Sequence, residues 1–265
     1  MTKYPLATST WDDKEIDAIN TVIASDMYTM GKHVQQFEEE FSDFVGSKYS
    51  VMVNSGSSAN LLGLASFNFK KSSEIITPSL TFSTTISPIY QLGLTPHFID
   101  VKENFFTAKI NQIEKCINKK TVAIMIPNLL GNIPDWKGIR KIASKHKLKI
   151  IEDSADTLGA TINNRSTGIY SDISITSFYG SHVISCAGNG GILLTNNKNY
   201  FSKAKVLRSW GRMSTLIKDS ENINKRLDIK LNGYEYDKKF IFSEVGYNFE
   251  PSEIGASFGL VQLKK

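Results

Sequence analysis

Residues 51–60 read Val51-Met52-Val53-Asn54-Ser55-Gly56-Ser57-Ser58-Ala59-Asn60, and Leu61-Leu62-Gly63-Leu64-Ala65 follows. An uninterrupted apolar strand here passes through a small-residue turn into an apolar helix. A strand apolar at successive positions is covered on both faces, as in the parallel sheet of an α/β domain. N–H groups at such a helix start favour a phosphate, and the same serines equally suit an ordinary N-cap. Taken alone, the turn leaves both readings open.

Comparable runs recur at residues 74–77, 96–101, 122–127, 148–152, 173–178 and 191–195, mostly separated by segments of helical periodicity. The spacing predicts helices over 12–25, 34–45, 58–66, 110–117, 136–145 and 200–207, with another beginning near Pro251. This alternation predicts an α/β domain on a mostly parallel, doubly covered sheet. In the second helix Val34, Phe37, Phe41 and Phe44 share one face, which assigns them to the core. Residues 211–239 turn polar and irregular and read as a long loop, a feature usually functional or mobile in compact domains.

The 265 residues, 41% of them hydrophobic, suffice for one large core. The net charge of +5 reads as spread along the chain, which argues against a nucleic-acid partner and is compatible with anionic small substrates. Cys116 and Cys186, the only cysteines, match no zinc or iron-sulfur spacing, so no metal site is expected. No signal peptide is recognised and no apolar run approaches a membrane span, so the expected compartment is the reducing cytosol.

Two further segments carry chemistry. Lys149-Ile150-Ile151-Glu152-Asp153-Ser154-Ala155-Asp156 is an apolar strand ending in carboxylates, at the edge where α/β sheets place ligands. A carboxylate there pairs with a cationic heterocycle or caps the next turn. Ser174-Ile175-Thr176-Ser177-Phe178-Tyr179-Gly180-Ser181-His182 is followed by Gly188-Asn189-Gly190-Gly191 and another strand. By itself, His182 suits a structural or a proton-transferring role.

In order and spacing these pieces resemble the DegT/DnrJ/EryC1/StrS family of sugar aminotransferases and dehydratases. The matching segments are Met30-Gly31, 53–62, Thr77-Pro78-Ser79-Leu80-Thr81-Phe82, 127–136, Glu152-Asp153, Ser177-Phe178, Gly190-Gly191, Ser209-Trp210-Gly211-Arg212 and Gly246-Tyr247-Asn248. The resemblance runs from about Tyr28 to the chain end. It implies an aspartate-aminotransferase-like fold, that of the type I PLP-dependent transferases. Residues 1–30 would then be an N-terminal segment, 31–250 the cofactor-binding large domain, and 251–265 the start of a C-terminal region whose small domain is missing.

The resemblance also implies pyridoxal or pyridoxamine 5'-phosphate as cofactor. Ser57, Ser58 and Ser177 would hold its phosphate, Phe82 would stack on its ring, and Asp153 would keep its pyridine nitrogen protonated. Asp156 joins this set as a further cofactor-side carboxylate. Asn248 resembles a residue that reaches the phosphate of the neighbouring subunit, which implies a homodimer.

His182 stands where most of the family carries the lysine that anchors the cofactor covalently. An imidazole cannot hold the aldehyde as a stable imine, yet it transfers protons at neutral pH. Histidine at this position is similar to the family's 3-dehydratases of nucleotide-linked 4-keto-6-deoxy sugars, which work with non-covalently bound pyridoxamine phosphate. The iron-sulfur branch of these enzymes places cysteines at about Ala155 and in the loop after Arg212; this chain has none there, so no [2Fe–2S] cluster is expected. The cluster-free branch recharges its cofactor with glutamate, and the expected partners are therefore a nucleotide-linked sugar and glutamate, in deoxysugar or O-antigen biosynthesis. A departure from the family is Asn189, at a place where many relatives are acidic. The alternative readings are a sugar aminotransferase using His182 as base, and a non-catalytic relative.

Overall fold

The computed structural model describes residues 8, 10–217, 222–227 and 229–265. Residues 1–7 and 9 of the N-terminal segment, and 218–221 and 228 of the 211–239 stretch, lie outside the described residues. Seven strands, β1 (Tyr49–Val53), β2 (Glu74–Pro78), β3 (Thr95–Ile99), β4 (Thr121–Pro127), β5 (Lys149–Asp153), β6 (Ile173–Ser177) and β7 (Gly191–Thr195), form one sheet. Their order is β1-β7-β6-β5-β4-β2-β3. The pairs among β2 to β6 are parallel, while β7 runs antiparallel to both β1 and β6. The expected mostly parallel sheet thus contains one reversed strand.

Around the sheet pack α1 (Asp13–Ser25), α2 (Lys32–Val45), α3 (Gly56–Ala65), α4 (Ser83–Gln91), α5 (Ile110–Cys116), α6 (Trp136–His146), α7 (Lys198–Arg208) and α8 (Glu253–Gln262). Period-two alternation divides the strand residues between two covers. Ile76, Ile124, Ile126 and Ile150 meet Trp136 and Ile139 of α6, whereas Ile75, Ala123, Met125 and Ile151 meet Leu64 of α3 and Ile89 of α4. Apolar residues at consecutive positions are what a sheet covered on both faces requires.

The sequence pattern did not reveal α4. Its residues, Ser-Thr-Thr-Ile-Ser-Pro-Ile-Tyr-Gln, are poor helix formers with Pro88 inside. Burial of Thr85, Pro88 and Ile89 overrides that propensity. The 211–239 stretch is likewise not simply a loop. It contains short helical turns at Met213–Leu216 and Ile223–Arg226, and a hairpin pairing Ile229–Leu231 with Tyr234–Tyr236. Asn232 and Gly233 at its tip have φ of 52° and 86°, the left-handed pair that a two-residue Asn-Gly turn supplies.

On α2, Val34, Phe37 and Phe41 are buried as expected, and the rings of Phe37 and Phe41 lie 5.1 and 5.3 Å from that of Phe178. Phe44 departs from the expectation. It is 53% exposed, and the neighbouring Val45 packs on the cluster in its place at the helix end. Phe37→Ala is expected to destabilise the fold by about 3–5 kcal/mol, the usual cost of emptying a filled aromatic core position. Chemical denaturation monitored by circular dichroism reads that loss directly.

Helix α8 is tied to the same core. Ala256 and Leu260 share a cluster with Val34, Phe37 and Phe41. At its first turn Glu253 accepts the N–H groups of Gly31, His33 and Val34 at 2.7, 2.9 and 3.0 Å, supplying α2 with the cap its own sequence lacks. Burial pushes the Glu253 carboxyl upward, but these bonds more than offset it and hold it below the ordinary range. At the far end of α8, Gln262 donates to the buried Glu15 of α1 at 2.7 Å.

Candidate active site

The C-terminal ends of β1, β5 and β6 and the start of β7 lie along one edge. Val53 and Ser177 both pair with Gly191, and Asp153 lies between Pro127 and Ile175. Alternation along β5 sends Asp153 toward α3 and α4, and Glu152 toward α6.

Asp153 is the hub of this edge. Its Oδ2 accepts from Asn60 Nδ2 of α3 and Thr85 Oγ1 of α4, both at 2.8 Å, and its Oδ1 accepts the Ala155 N–H at 3.2 Å. Burial pushes the carboxyl above its usual range; those three bonds oppose the rise and the Asp156 charge adds to it. Among the described residues no cation pairs with it. A buried carboxylate in this situation gains from a cationic partner, and a protonated pyridine nitrogen is one. On the other face of β5, Asn128 donates to Glu152 at 2.7 Å and to Ser154 at 2.9 Å, and accepts from Trp136 at 2.8 Å. This buried network braces the strand end from below.

The N-cap reading of the β1–α3 turn is realised, and it leaves other N–H groups of the helix start free of intrahelical acceptors. Ser55 caps α3, its Oγ accepting the Ser58 N–H at 3.1 Å. The N–H groups of Gly56 and Ser57, in the first turn, have no intrahelical acceptor by position. A Cβ at Gly56 would stand 2.5 Å from Ser177 Cβ, and one at Gly191 would stand 2.4 Å from the Ser55 carbonyl. These close approaches bring the Ser177 hydroxyl to the helix start, next to the exposed Ser57. The cradle of small residues, hydroxyls and helix N–H groups fits a phosphate.

His182 stands on the connection between β6 and β7. Phe178 donates to Gly190 at 2.9 Å, Cys186 to Phe178 at 3.2 Å, and His182 to Tyr179 at 2.9 Å, all through backbone groups. Because Phe178 is wedged against Phe37 and Phe41, the aromatic stripe of α2 is the floor that positions this connection. His182 Nε2 lies 3.9 Å from Asp156 Oδ1, a charge contact longer than a hydrogen bond, and its Nδ1 is buried without a partner. Asp156 Oδ2 in turn accepts the Leu130 N–H at 3.0 Å, where Leu130 is left-handed with φ of 54°.

Phe82 is 70% exposed and precedes α4; its carbonyl accepts the Thr85 N–H at 3.1 Å, so its ring stands one turn from the Asp153 contact. Asn248 is exposed and bridges to Ser209, while its neighbour Phe249 accepts the Asn54 N–H at 3.0 Å beside the phosphate-type turn. The structure therefore gathers Ser57, Ser58, Phe82, Asp153, Asp156, Ser177 and His182 at one sheet edge, with the Asn248 segment alongside. Sequence reasoning missed Asn60 and Thr85 as partners of Asp153. A lone amide in an apolar helix was the available signal for Asn60; Thr85 lay in the helix that the pattern did not reveal.

A parallel sheet with one reversed strand, a helix-start cradle and a buried carboxylate between them define a class, the PLP-dependent aminotransferase fold. Residues 9–265 match the DegT/DnrJ/EryC1/StrS aminotransferase family, and the chain belongs to it. GDP-4-keto-6-deoxy-D-mannose 3-dehydratase of Yersinia pseudotuberculosis is 36% identical over 271 residues, covering 100% of this chain and 67% of that protein. The structure of E. coli GDP-4-keto-6-deoxy-D-mannose-3-dehydratase with bound hydrated PLP gives a TM-score of 0.90 at 37% identity, over 100% of this chain and 68% of the other. A GDP-4-keto-6-deoxymannose-3-dehydratase structure with a trapped PLP-glutamate geminal diamine gives 0.90 at 36%, over 99% and 68%. The chain thus spans about two thirds of the length of these relatives. Among the described residues no helix is long and apolar enough to cross a membrane.

Proposed function

We propose that this chain performs the 3-dehydration of a nucleotide-linked 4-keto-6-deoxy sugar with pyridoxamine phosphate. The observation that carries the reading is His182, an imidazole facing Asp156 where a covalent anchor would be a lysine. When bound, the cofactor supplies an amine for the C4 ketone and a ring that accepts electrons. Asp153 keeps the ring nitrogen protonated, and Asn60 and Thr85 fix the direction of that carboxylate. The Ser57, Ser58 and Ser177 hydroxyls and the α3 N-terminus hold the phosphate, and Phe82 covers the ring. His182 moves the proton whose removal accompanies departure of the C3 hydroxyl, with Asp156 orienting the imidazole. Glutamate would be the amino donor, a reading supported by the relative that holds a trapped PLP-glutamate geminal diamine. With two cysteines, one of them buried in the α2–α8 core, the chain lacks the thiolates of an iron-sulfur site. We place the reaction in the cytosol, in a homodimer in which Asn248 serves the neighbouring phosphate, and we take residues 31–250 as the cofactor-binding body.

The test is mass spectrometry after incubation with pyridoxamine phosphate, glutamate and a panel of nucleotide-linked 4-keto-6-deoxy sugars. Loss of the C3 hydroxyl is the expected result. An amine at C4 instead would make the protein one of the family's aminotransferases, and unchanged sugar with cofactor bound would make it a binding relative.

A further inference from the structure

The chain's charge is not spread as its sequence first suggests, because the fold divides it between two ends of one sheet face. Residues 102–149 hold eleven Lys and Arg against three Asp and Glu, whereas residues 12–45 hold two Lys against nine Asp and Glu. The first stretch forms α5, β4 and α6, and the second forms α1 and α2. Helices α5 and α6 pack on Ile76, Ile99, Ile124 and Ile150 of β2 to β5, while α2 packs on Met52, Ile192 and Leu194 of β1 and β7. Ser174 lies in register with both Glu152 and Leu194, which puts the two clusters on the same face. A basic pole thus stands over β2 to β5, and an acidic pole over β1 and β7.

The outward side of the basic pole is made of lysines. On α6, Trp136, Ile139 and Ala143 are buried. Lys137, Lys141 and Lys145 recur at four-residue spacing on the opposite side and are exposed. Lys115 is exposed on α5. Lys119 and Lys147, exposed as well, precede β4 and β5 at the sheet edge opposite the candidate active site. Among the described residues Lys115, Lys119, Lys137, Lys141 and Lys147 form no ion pair. Acids of the region are engaged by other cations, Glu114 by Lys145 at 2.6 Å, Asp172 by Arg140 at 3.1 Å and Asp100 by Lys109 at 2.9 Å. Asp135 serves its own helix, accepting the Gly138 N–H at 2.9 Å.

We infer that this lysine face docks the protein reversibly on a bilayer surface of anionic phospholipids. A cluster of about four to eight lysines is what such a surface attracts, the charges acting together within a Debye length of it. The same surface repels the acidic pole, so the two poles together fix one orientation. With Lys119 and Lys147 toward the lipid, the candidate active-site edge stays uncovered. Ten of the eleven cations are lysines, point charges suited to a fluid layer of headgroups. The one arginine, Arg140, engages its fork with the Tyr170 carbonyl and Asp172. Exposed positions of α5 and α6 carry no aromatic ring on which a base would stack, which favours a lipid surface over a polynucleotide. The docking face is independent of the dehydratase reading.

The experiment sediments the full chain with phosphatidylcholine vesicles, alone or with about a third phosphatidylglycerol. Beside the wild type it uses a basic-face variant, Lys115→Gln with Lys137→Gln and Lys141→Gln, and a control that removes equal charge elsewhere, Lys14→Gln with Lys198→Gln and Lys230→Gln. Wild type is expected to bind anionic vesicles at least about tenfold more tightly than neutral ones, and to be released as salt rises. The basic-face variant should lose at least about tenfold in that affinity while the control binds as wild type, and all three should share one melting temperature. Equal binding to the two vesicle types would overturn the docking face, as would equal losses in the two variants. Titration with single-stranded RNA and light scattering of the protein alone test the other occupants. Tight RNA binding without vesicle binding would give the face to nucleic acid. Oligomers that dissolve in the basic-face variant, again without vesicle binding, would give it to the acidic pole of a second copy. Either result overturns the proposal.

Discussion

His182→Asn is expected to slow loss of the C3 hydroxyl by about 10²- to 10⁴-fold, the usual share of a positioned general base. Asparagine keeps a polar side chain of similar reach and cannot carry a proton through the reaction. The connection is anchored by Phe178 in the α2 cluster and by the backbone bonds of Phe178, His182 and Cys186, none of which uses the imidazole. Cofactor binding and melting temperature should therefore stay near wild type, and the limb of the pH–rate profile that reports the base should vanish. A variant that retains both its rate and that limb would remove His182 from the mechanism. Asp156→Asn should act on the same limb with a smaller loss of rate, since its carboxylate faces the imidazole at 3.9 Å without itself carrying the proton.

Asp153→Asn separates stability from activity. Rate should fall by about 10²- to 10³-fold, the typical loss when one preorganised electrostatic partner is removed. Stability of the cofactor-free protein should move the other way. Burial raises the folded-state carboxyl of Asp153, so its stabilising contribution is complete below the unfolded value and is lost as pH rises through the folded one. Asparagine, neutral throughout and able to accept from Asn60 and Thr85 through its single oxygen, removes that dependence. Thermal melts from acid to neutral pH should show a wild type that loses stability with rising pH relative to the variant. Adding pyridoxamine phosphate should stabilise the wild type far more than the variant. Parallel melting curves for the two proteins, with equal response to cofactor, would contradict the role assigned to this carboxylate.

Much of this was legible in the sequence because the sheet is covered on both faces and so writes its strands as continuous apolar runs. The β1 and β5 stretches carried both the fold and the attached chemistry, since a strand ending in Glu152-Asp153 or in Ser55-Gly56 announces an edge. What escaped depends on packing. Helix α4 forms against its own composition because Thr85 and Ile89 find buried partners, and with it Thr85 escaped as the second donor to Asp153. The reversal of β7 escaped because a fully buried strand shows no direction in its pattern. Phe44 sits on the same helical stripe as Phe41, and periodicity cannot show that Val45 takes its place against the core at the helix end.

That reversal sets where the protein tolerates change. Had β7 run parallel to β6, the chain leaving Ser177 would have needed a long crossover to begin again at the opposite end of the sheet. Instead residues 178–190 leave and return at the same edge, tethered at Ser177 and Gly191, which lie side by side in register. The His182 imidazole therefore rides on a short closed loop. A single residue added between Phe178 and Gly190 is expected to displace His182, because both ends of the loop are fixed in register.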